Sequence, residues 1–534
     1  MSQFTGTRAL LRLALRRDRI LLPAWMLAYL AYSVGGTAAA IALYPTMQSR
    51  VDAASAVNDL PAMLVMYGRV WDPQSLGSVA MMKPIGFGGI FAAILAILLV
   101  TRHTRTEEES GRLEVIGSLV VGRWAPLAAA LSLATGVMTV LCAVNALGVI
   151  GTGLPAGSAW VWAISVSLCG LVFAAITGVT AQLTQAARAA NTLAFMMLAL
   201  AFLLRGTADA AGTPAASAWW SWLSPVGWQD QVKAFAGDRW WALLPPVLTI
   251  ALLTPAALSL ARHRDLDAGL IPQRGGRASA GPGLRSALSL SLRLQRGLIL
   301  GLLVSYLLMA LLLGSIASTA NRFLDSQQMR DWLLRSAGSS DPFVAFMVFE
   351  VGFAGVLSAL CGVILARRIG SEEQAGRLEP LLATSTSHRR LLGAHIVVAL
   401  LGTTLLQLAL ALGFWLGNAT QSGNFSGLPE AIARTIVYLP AIWVLVGLAF
   451  AVFALLPGQA YLSWVAVAAT VLVSEFGTLL SWPSLVLDLS PFTHVPRLPA
   501  TPMLWTPTLW LLLVSGGLLL LALARFPRRD LATP

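Results

Sequence analysis

The chain is 534 residues long, 57% hydrophobic and only 11% charged, with a formal net charge of +12 and a mean hydropathy of +0.74. Soluble domains carry about 25% charged residues, so the composition excludes a water-soluble globule. The positive residues sit in short segments between apolar runs, which excludes the continuous basic face of a nucleic-acid binder.

The N-terminal stretch MSQFTGTRALLRLALRRDR is charged and leads into a long apolar run without a small-residue cleavage site, so it reads as an uncleaved segment before the first span. Arg8, Arg12 and Arg16 recur every fourth residue against Leu10 and Leu13. That spacing fits a helix lying on the inner membrane surface and equally fits a plain topology signal. Twelve apolar runs follow, near residues 20–44, 84–102, 124–150, 158–186, 192–214, 241–262, 297–317, 343–367, 391–417, 429–455, 460–480 and 504–525. Crossing the hydrocarbon takes about 20 apolar residues per helix, and the runs lack the alternation of barrel strands. The expected fold is therefore all-α: a polytopic membrane protein of about twelve transmembrane helices. Arginines stand before the first run (Arg16, Arg17, Arg19) and after the second (Arg102, Arg105), fourth (Arg188), sixth (Arg262, Arg264), eighth (Arg367, Arg368) and twelfth (Arg525, Arg528, Arg529). By the positive-inside rule both termini are cytoplasmic.

After the second run comes TEEESGRLE, Thr106 to Glu114, and after the eighth comes SEEQAGRLE, Ser371 to Glu379, 265 positions later. Arg264-Asp265-Leu266 recurs as Arg529-Asp530-Leu531 at the same offset, and Ser224-Pro225 recurs as Ser490-Pro491. Arg16 and Arg19 match Arg293 and Arg296 at 277, which puts about twelve extra residues in the first outer loop. The chain thus reads as two homologous six-helix halves of equal orientation, residues 1–267 and 287–534. A Gly/Pro/Arg-rich cytoplasmic linker, 268–286, joins them. Six of the eighteen tryptophans fall between Trp219 and Trp241, an interfacial aromatic belt.

In each copy of the motif a glutamate precedes an arginine by four residues, Glu108 to Arg112 and Glu373 to Arg377, the favoured order for a pair on one helix. Gly111 or Gly376 interrupts that turn. A solvated helix end needs no such sequence, and its recurrence argues for a surface presented to a symmetric pair of partners. No H-E-x-x-H, G-x-S-x-G or Cys/His cluster occurs. Cys142, Cys169 and Cys361 fall inside apolar runs and read as small buried side chains. A Walker lysine is missing too, since Lys83 and Lys233 are the only lysines and neither stands in a phosphate loop. The chain is therefore expected to be no enzyme.

The opening FTGTRALLRLALRRDRILLPAW, the duplicated EExxGRLE and the Ser-Pro segment before the last helix of each half resemble fused twelve-helix permeases of ATP-binding-cassette exporters, in particular the actinobacterial tetronasin-type or polyketide-antibiotic group. The resemblance spans essentially the whole chain. It implies a bacterial plasma-membrane subunit that exports hydrophobic or amphiphilic compounds by alternating access. It further implies two copies of a separately encoded nucleotide-binding ATPase, with ATP and magnesium bound there and no cofactor in this chain. The coupling residues would be Glu107, Glu108, Gly111, Arg112, Leu113 and Glu114, with Glu372, Glu373, Gly376, Arg377, Leu378 and Glu379. Glu109 faces Gln374 and Val115 faces Pro380 across the repeat, so two unlike docking surfaces are expected.

Ionisable residues at membrane depth are costly and default to functional candidates. Arg205 and Asp209 stand four apart in the fifth run, Glu350 lies in the eighth, and the repeat sets Asp209 opposite Glu475 of the eleventh. In the resembled family helices two and five of each half line the path. These residues would then form an outer gate or receive a polar group of the substrate; otherwise they are a local pair plus glutamates reaching for headgroups. Phe195, Met196, Met197, Phe202, Phe346, Phe349, Phe353 and Phe476 offer adaptable apolar surface beside them. The alternative function is a proton-coupled secondary transporter of the major-facilitator kind driven through Glu350 or Glu475. The loop after the second run lacks that family's G-x-x-x-D-R-x-G-R.

Overall fold

A computed structural model describes residues 2–59, 61–113, 120–213, 216–264, 268–271, 279, 281, 283–317, 342–456, 458–459, 461–476 and 483–530. Glu114, Val115, Asp265, Leu266, Leu531 and residues 272–278, 280 and 282 of the linker lie outside the described residues, as do the side chains of Phe346, Phe349, Glu475 and Phe476. The protein is 79% helical with no strand among the described residues. Contacts divide it into two compact units, Met1–Gly275 and Gly276–Pro534.

In the first unit α1 is Thr7–Arg17 and α2, Leu21–Leu43, is the first span. Then come α3 (Met82–Arg102), the short α4 (Arg105–Glu109), α5 (Ala125–Gly151), α6 (Ala156–Leu183), α7 (Ala187–Ala211), α8 (Pro225–Gln231) and α9 (Leu244–Arg262). The core is α6, buried over 78% of its apolar window, while α9 is buried over only 11% of its own. Lipid is as apolar as leucine, so helices associate by close packing and polar contacts. Gly170 of α6 shows the closeness, since a Cβ there would stand 2.6 Å from the Met138 sulfur of α5. Ser33 in α2 donates to Asn145 of α5 at 2.5 Å. The start of α1 is pinned to the segment before α5 by Gly122 N donating to Thr5 O at 2.9 Å and Trp124 N to Gln3 O at 3.1 Å.

The second unit comprises α10 (Ala287–Ala317), α11 (Pro342–Ala366), α12 (Arg368–Gln374), α13 (His388–Ser422), α14 (Leu428–Ile436), α15 (Leu439–Leu455), α16 (Leu462–Phe476) and α17 (Trp505–Arg525). Gly413 and Gly417 of α13, one turn apart, let α10 approach: a Cβ at Gly417 would meet Leu311 O at 2.1 Å. Here α10 starts ten residues before the predicted span at 297 and carries Arg293 and Arg296 within one continuous helix. In the first unit Asp18 to Ile20 separate α1 from α2.

Among the described residues eleven helices, not twelve, are long and apolar enough to cross a membrane. The difference lies in the predicted span at 460–480. Its described part, α16, has 15 residues, with Leu462–Val471 as its apolar stretch, and residues 477–480 of the run lie outside the described residues. The tenth run is split into α14 and α15, with Pro440 in the first turn of α15, where a missing N–H is tolerated. All three cysteines are free thiols.

Candidate functional site

At one end of the first unit the tips of α3, α6, α7 and α9 meet around α4. The Glu108 carboxylate takes Arg105 Nη1 at 2.7 Å and Arg264 Nη1 at 2.7 Å, while Arg264 Nη2 contacts its other oxygen. Arg105 Nη2 and Arg264 Nη1 also donate to Ala268 O at 3.0 and 2.8 Å. Arg105 Nε bonds Ala181 O at the end of α6. Glu109 accepts from the backbone N of Ala187 at 2.7 Å, a carboxylate on an otherwise orphaned donor at the start of α7. Glu107 pairs with Arg17 of α1. Three successive glutamates therefore reach three different elements.

In the second unit Glu373 pairs with Arg529, whose Nη1 donates to Phe453 O at 2.7 Å and whose guanidinium lies 4.4 Å from the Phe453 ring centre. Glu372 is held by Arg368 Nη2 and Arg377 Nε, each at 2.5 Å. The expected pairs Glu108–Arg112 and Glu373–Arg377 do not form. The cause is Gly376, at φ +67, and Gly111, at φ +69, left-handed positions that end each helix before the arginine. Gly376 N bonds Glu373 O at 2.8 Å and Arg377 N bonds Glu372 O at 3.0 Å, a Schellman turn that swings the arginine off the helix face. The glutamates pair instead with the arginines that follow the sixth run of each half, both 156 residues away.

At both glycines a Cβ would meet nothing, so only the left-handed backbone requires glycine. Gly111→Ala and Gly376→Ala are each expected to cost roughly 1 kcal/mol, with asparagine milder than alanine because it tolerates that region better. Thermal unfolding of the purified variants checks the order; valine no worse than asparagine would contradict it.

Leu113 and Leu378 are buried beneath the two loops. What faces outward is Thr106, Glu109, Ser110 and Arg112 in the first loop, and Ser371, Gln374, Arg377 and Glu379 in the second. Of the two differences visible in the sequence, one falls on described residues in both loops: Glu109 caps α7, whereas Gln374 carries no charge for such a role.

A second cluster lies at the far end of α7. Arg205 and Asp209 are wholly buried and Asp230 of α8 nearly so. Arg205 Nη1 is 3.6 Å from Asp209 Oδ2 and Arg205 Nε is 3.4 Å from Asp230 Oδ2. Arg205 also reaches Leu64 O at 3.4 Å and Met66 O at 3.3 Å, and stacks on Phe202 at 4.9 Å. Ser217 Oγ donates to Asp209 at 2.6 Å, and Arg69 Nη2 donates to Asp209 O at 3.0 Å.

Both motifs lie within a wider similarity. Residues 284–527 match the family model described as the C-terminal domain of multidrug efflux system permease Rv1217c. The whole chain is 37% identical over 533 residues to the multidrug efflux system permease protein Rv1217c of Mycobacterium tuberculosis (strain ATCC 25618 / H37Rv), covering 99% of this chain and 96% of that protein. The chain belongs to this efflux-permease family. The permease is accordingly a multi-pass protein of the bacterial plasma membrane.

Of the permease's other sequence candidates, Phe195 packs partly buried against the core of its unit, whereas Met196 and Met197 are exposed along α7. Glu350 is half-buried in α11, and Phe353, one turn on, is exposed. Trp222 stacks on Trp241 with ring centres 5.2 Å apart, and Trp219, Trp240 and Trp241 are exposed.

Sequence reasoning missed two acids. Asp18, fully buried, takes Arg102 Nε at 3.0 Å and His103 Nε2 at 2.6 Å, fastening the end of α1 to the end of α3. Its only signal was a lone acid among arginines. Asp230 was the other, and its signal was an acid inside the first Ser-Pro segment.

Burial, with Asp209 beside it, holds the Asp230 carboxyl well above the ordinary carboxylate range against the pull of Arg205. An acid whose folded pKa is raised contributes stability that is complete below its unfolded pKa of about 4 and is lost as pH rises through the folded value. Asp230→Asn should therefore flatten the decline in unfolding temperature as pH is raised from about 4. Parallel profiles for variant and wild type would show that Asp230 does not titrate.

Proposed function

We propose that the permease exports hydrophobic or amphiphilic compounds, drugs or polyketide antibiotics among them, in the manner of the ATP-binding-cassette exporters its sequence resembles. Two copies of a separately encoded ATPase, holding ATP and magnesium, dock on the two motif loops and drive alternating access. The halves are residues 1–267 and 287–534, joined by the 268–286 linker, with both termini cytoplasmic. The observation that carries this reading is the duplicated clamp. Glu108 with Arg264 and Glu373 with Arg529 tie each loop to the end of its unit's last span, so a push on the loop reaches the membrane helices. The inner glutamates transmit, and the outward residues Glu109, Arg112, Arg377 and Glu379 meet the partner. Arg205, Asp209, Glu350 and Glu475 belong to the substrate path or its outer gate.

Inverted membrane vesicles containing the permease, with and without its candidate ATPase, test this by uptake of a hydrophobic dye. Uptake that needs both chains and ATP and is blocked by vanadate is expected. Uptake by the permease alone, abolished by a proton uncoupler, would overturn it in favour of the proton-coupled alternative. Arg112→Glu with Arg377→Glu should cut ATP-dependent uptake at least about tenfold, the effect of losing one charge-assisted contact at each loop. Normal uptake by that double variant would exclude these loops as the docking surface.

A further inference from the structure

Between α1, the first turns of α5 and the first motif loop lies a cavity of about 440 Å³, within the roughly 300–1,000 Å³ of small-molecule sites. Its apolar wall is made by Leu10, Leu13, Pro126 and three small residues, Ala14, Ala129 and Ala130. The alanines are buried while Leu13 is exposed, so the slot stays open because its floor carries no long side chains and its edge is apolar.

The rim is cationic. Arg17, Glu107 and Arg112 line it, with Arg102 and the Asp18 carboxylate just behind. Among the described residues three guanidinium groups thus share two carboxylates. Burial first, and then the like charges of Arg102 and Arg112, pull the Arg17 guanidinium below its ordinary pKa. The second unit shows what a satisfied rim looks like. There Glu372 holds Arg377 at 2.5 Å, whereas in the first unit Glu107 is taken by Arg17 and Arg112 stands off at 3.8 Å.

We propose that this cavity binds an anionic phospholipid from the arginine-rich side of the membrane, one acyl chain lying between α1 and α5 and the phosphate between Arg17 and Arg112. An apolar slot ending in two arginines, beside an amphipathic helix, matches the two ends of such a lipid. Guanidinium groups take phosphate oxygens in paired hydrogen bonds, and anionic lipids concentrate near basic segments. The phosphate would compete with Glu107 for Arg17, so the lipid acts on the motif loop whether or not that loop docks an ATPase.

Native mass spectrometry of the full-length permease in mild detergent, with phosphatidylglycerol or phosphatidylcholine of the same acyl chains, tests the site. Wild type should retain phosphatidylglycerol about tenfold more than phosphatidylcholine, the discrimination of one charge-assisted contact. Arg112→Gln should erase the preference, and Arg377→Gln should leave it. Ala130→Leu, which narrows the slot, should lower retention of phosphatidylglycerol; if it unfolds the chain, Leu13→Gln at the exposed edge replaces it. Equal retention of both lipids by wild type, or an unchanged preference in Arg112→Gln, overturns the site. Displacement of phosphatidylglycerol by millimolar inorganic phosphate would show a headgroup site alone and overturn the acyl slot.

Discussion

Glu108→Gln is expected to destabilise the first unit by about 3–5 kcal/mol, the range for removing one partner of a buried ion pair. The Glu108 carboxylate neutralises two guanidinium groups, and the side chains of Arg105, Glu108 and Arg264 are 1%, 8% and 9% exposed. Glutamine leaves both cations in place with one neutral acceptor between them. In the second unit the described partner of Glu373 is Arg529. Arg529 keeps Phe453 O and the faces of Phe453 and Phe526 when its carboxylate is lost, so Glu373→Gln should cost less, about 2 kcal/mol. Thermal unfolding of the two detergent-purified variants separates them. A double-mutant cycle over Glu108 and Arg264 should give a coupling of at least about 1.5 kcal/mol. Glu109→Gln, which weakens one bond to a backbone N–H, is the reference at about 1 kcal/mol. A Glu108→Gln loss no greater than that reference would mean the clamp carries no energy.

Arg205→Met is expected to be as damaging, about 3–5 kcal/mol, because it strands Asp209 and Asp230 in a site without solvent. The shape of methionine follows the arginine stem, so the loss is electrostatic and is not a cavity effect. Neutralising the acids as well should restore most of the loss, since replacing a whole buried ionic group by neutral residues is often harmless. Arg205→Met with Asp209→Asn and Asp230→Asn is therefore predicted to unfold at a higher temperature than Arg205→Met alone. If single and triple variants unfold together, the cluster is held by packing against Phe202 and the 64–66 backbone. Dye uptake in the triple variant then isolates the gate. Export should fall even where stability has returned, and full export would remove these charges from the substrate path.

Much of the fold was legible because membrane helices announce themselves by length and apolarity. The ends of α3, α5 and α9 fall within three residues of the apolar runs. Misreadings came where polarity and helicity part company. Arginines at 293 and 296 read as a span boundary, yet α10 runs through them, because arginine is a good helix former and a charge at the interface breaks no hydrogen bond. The i,i+4 rule placed Glu108 with Arg112 and Glu373 with Arg377, and the intervening glycine defeated it by turning the chain left-handed.

By itself the sequence determined that the protein is a helical membrane protein with a duplicated acidic motif, since hydropathy and internal repetition are properties of the chain in order. It even displayed both members of each clamp, Glu108 and Arg264, Glu373 and Arg529, at matching positions of the repeat. Only the tertiary structure decided that they are partners. A contact across 156 residues leaves no periodicity, and a glutamate surrounded in sequence by arginines has several equally good candidates. Helix packing chooses among them by bringing the end of each unit's last span within reach.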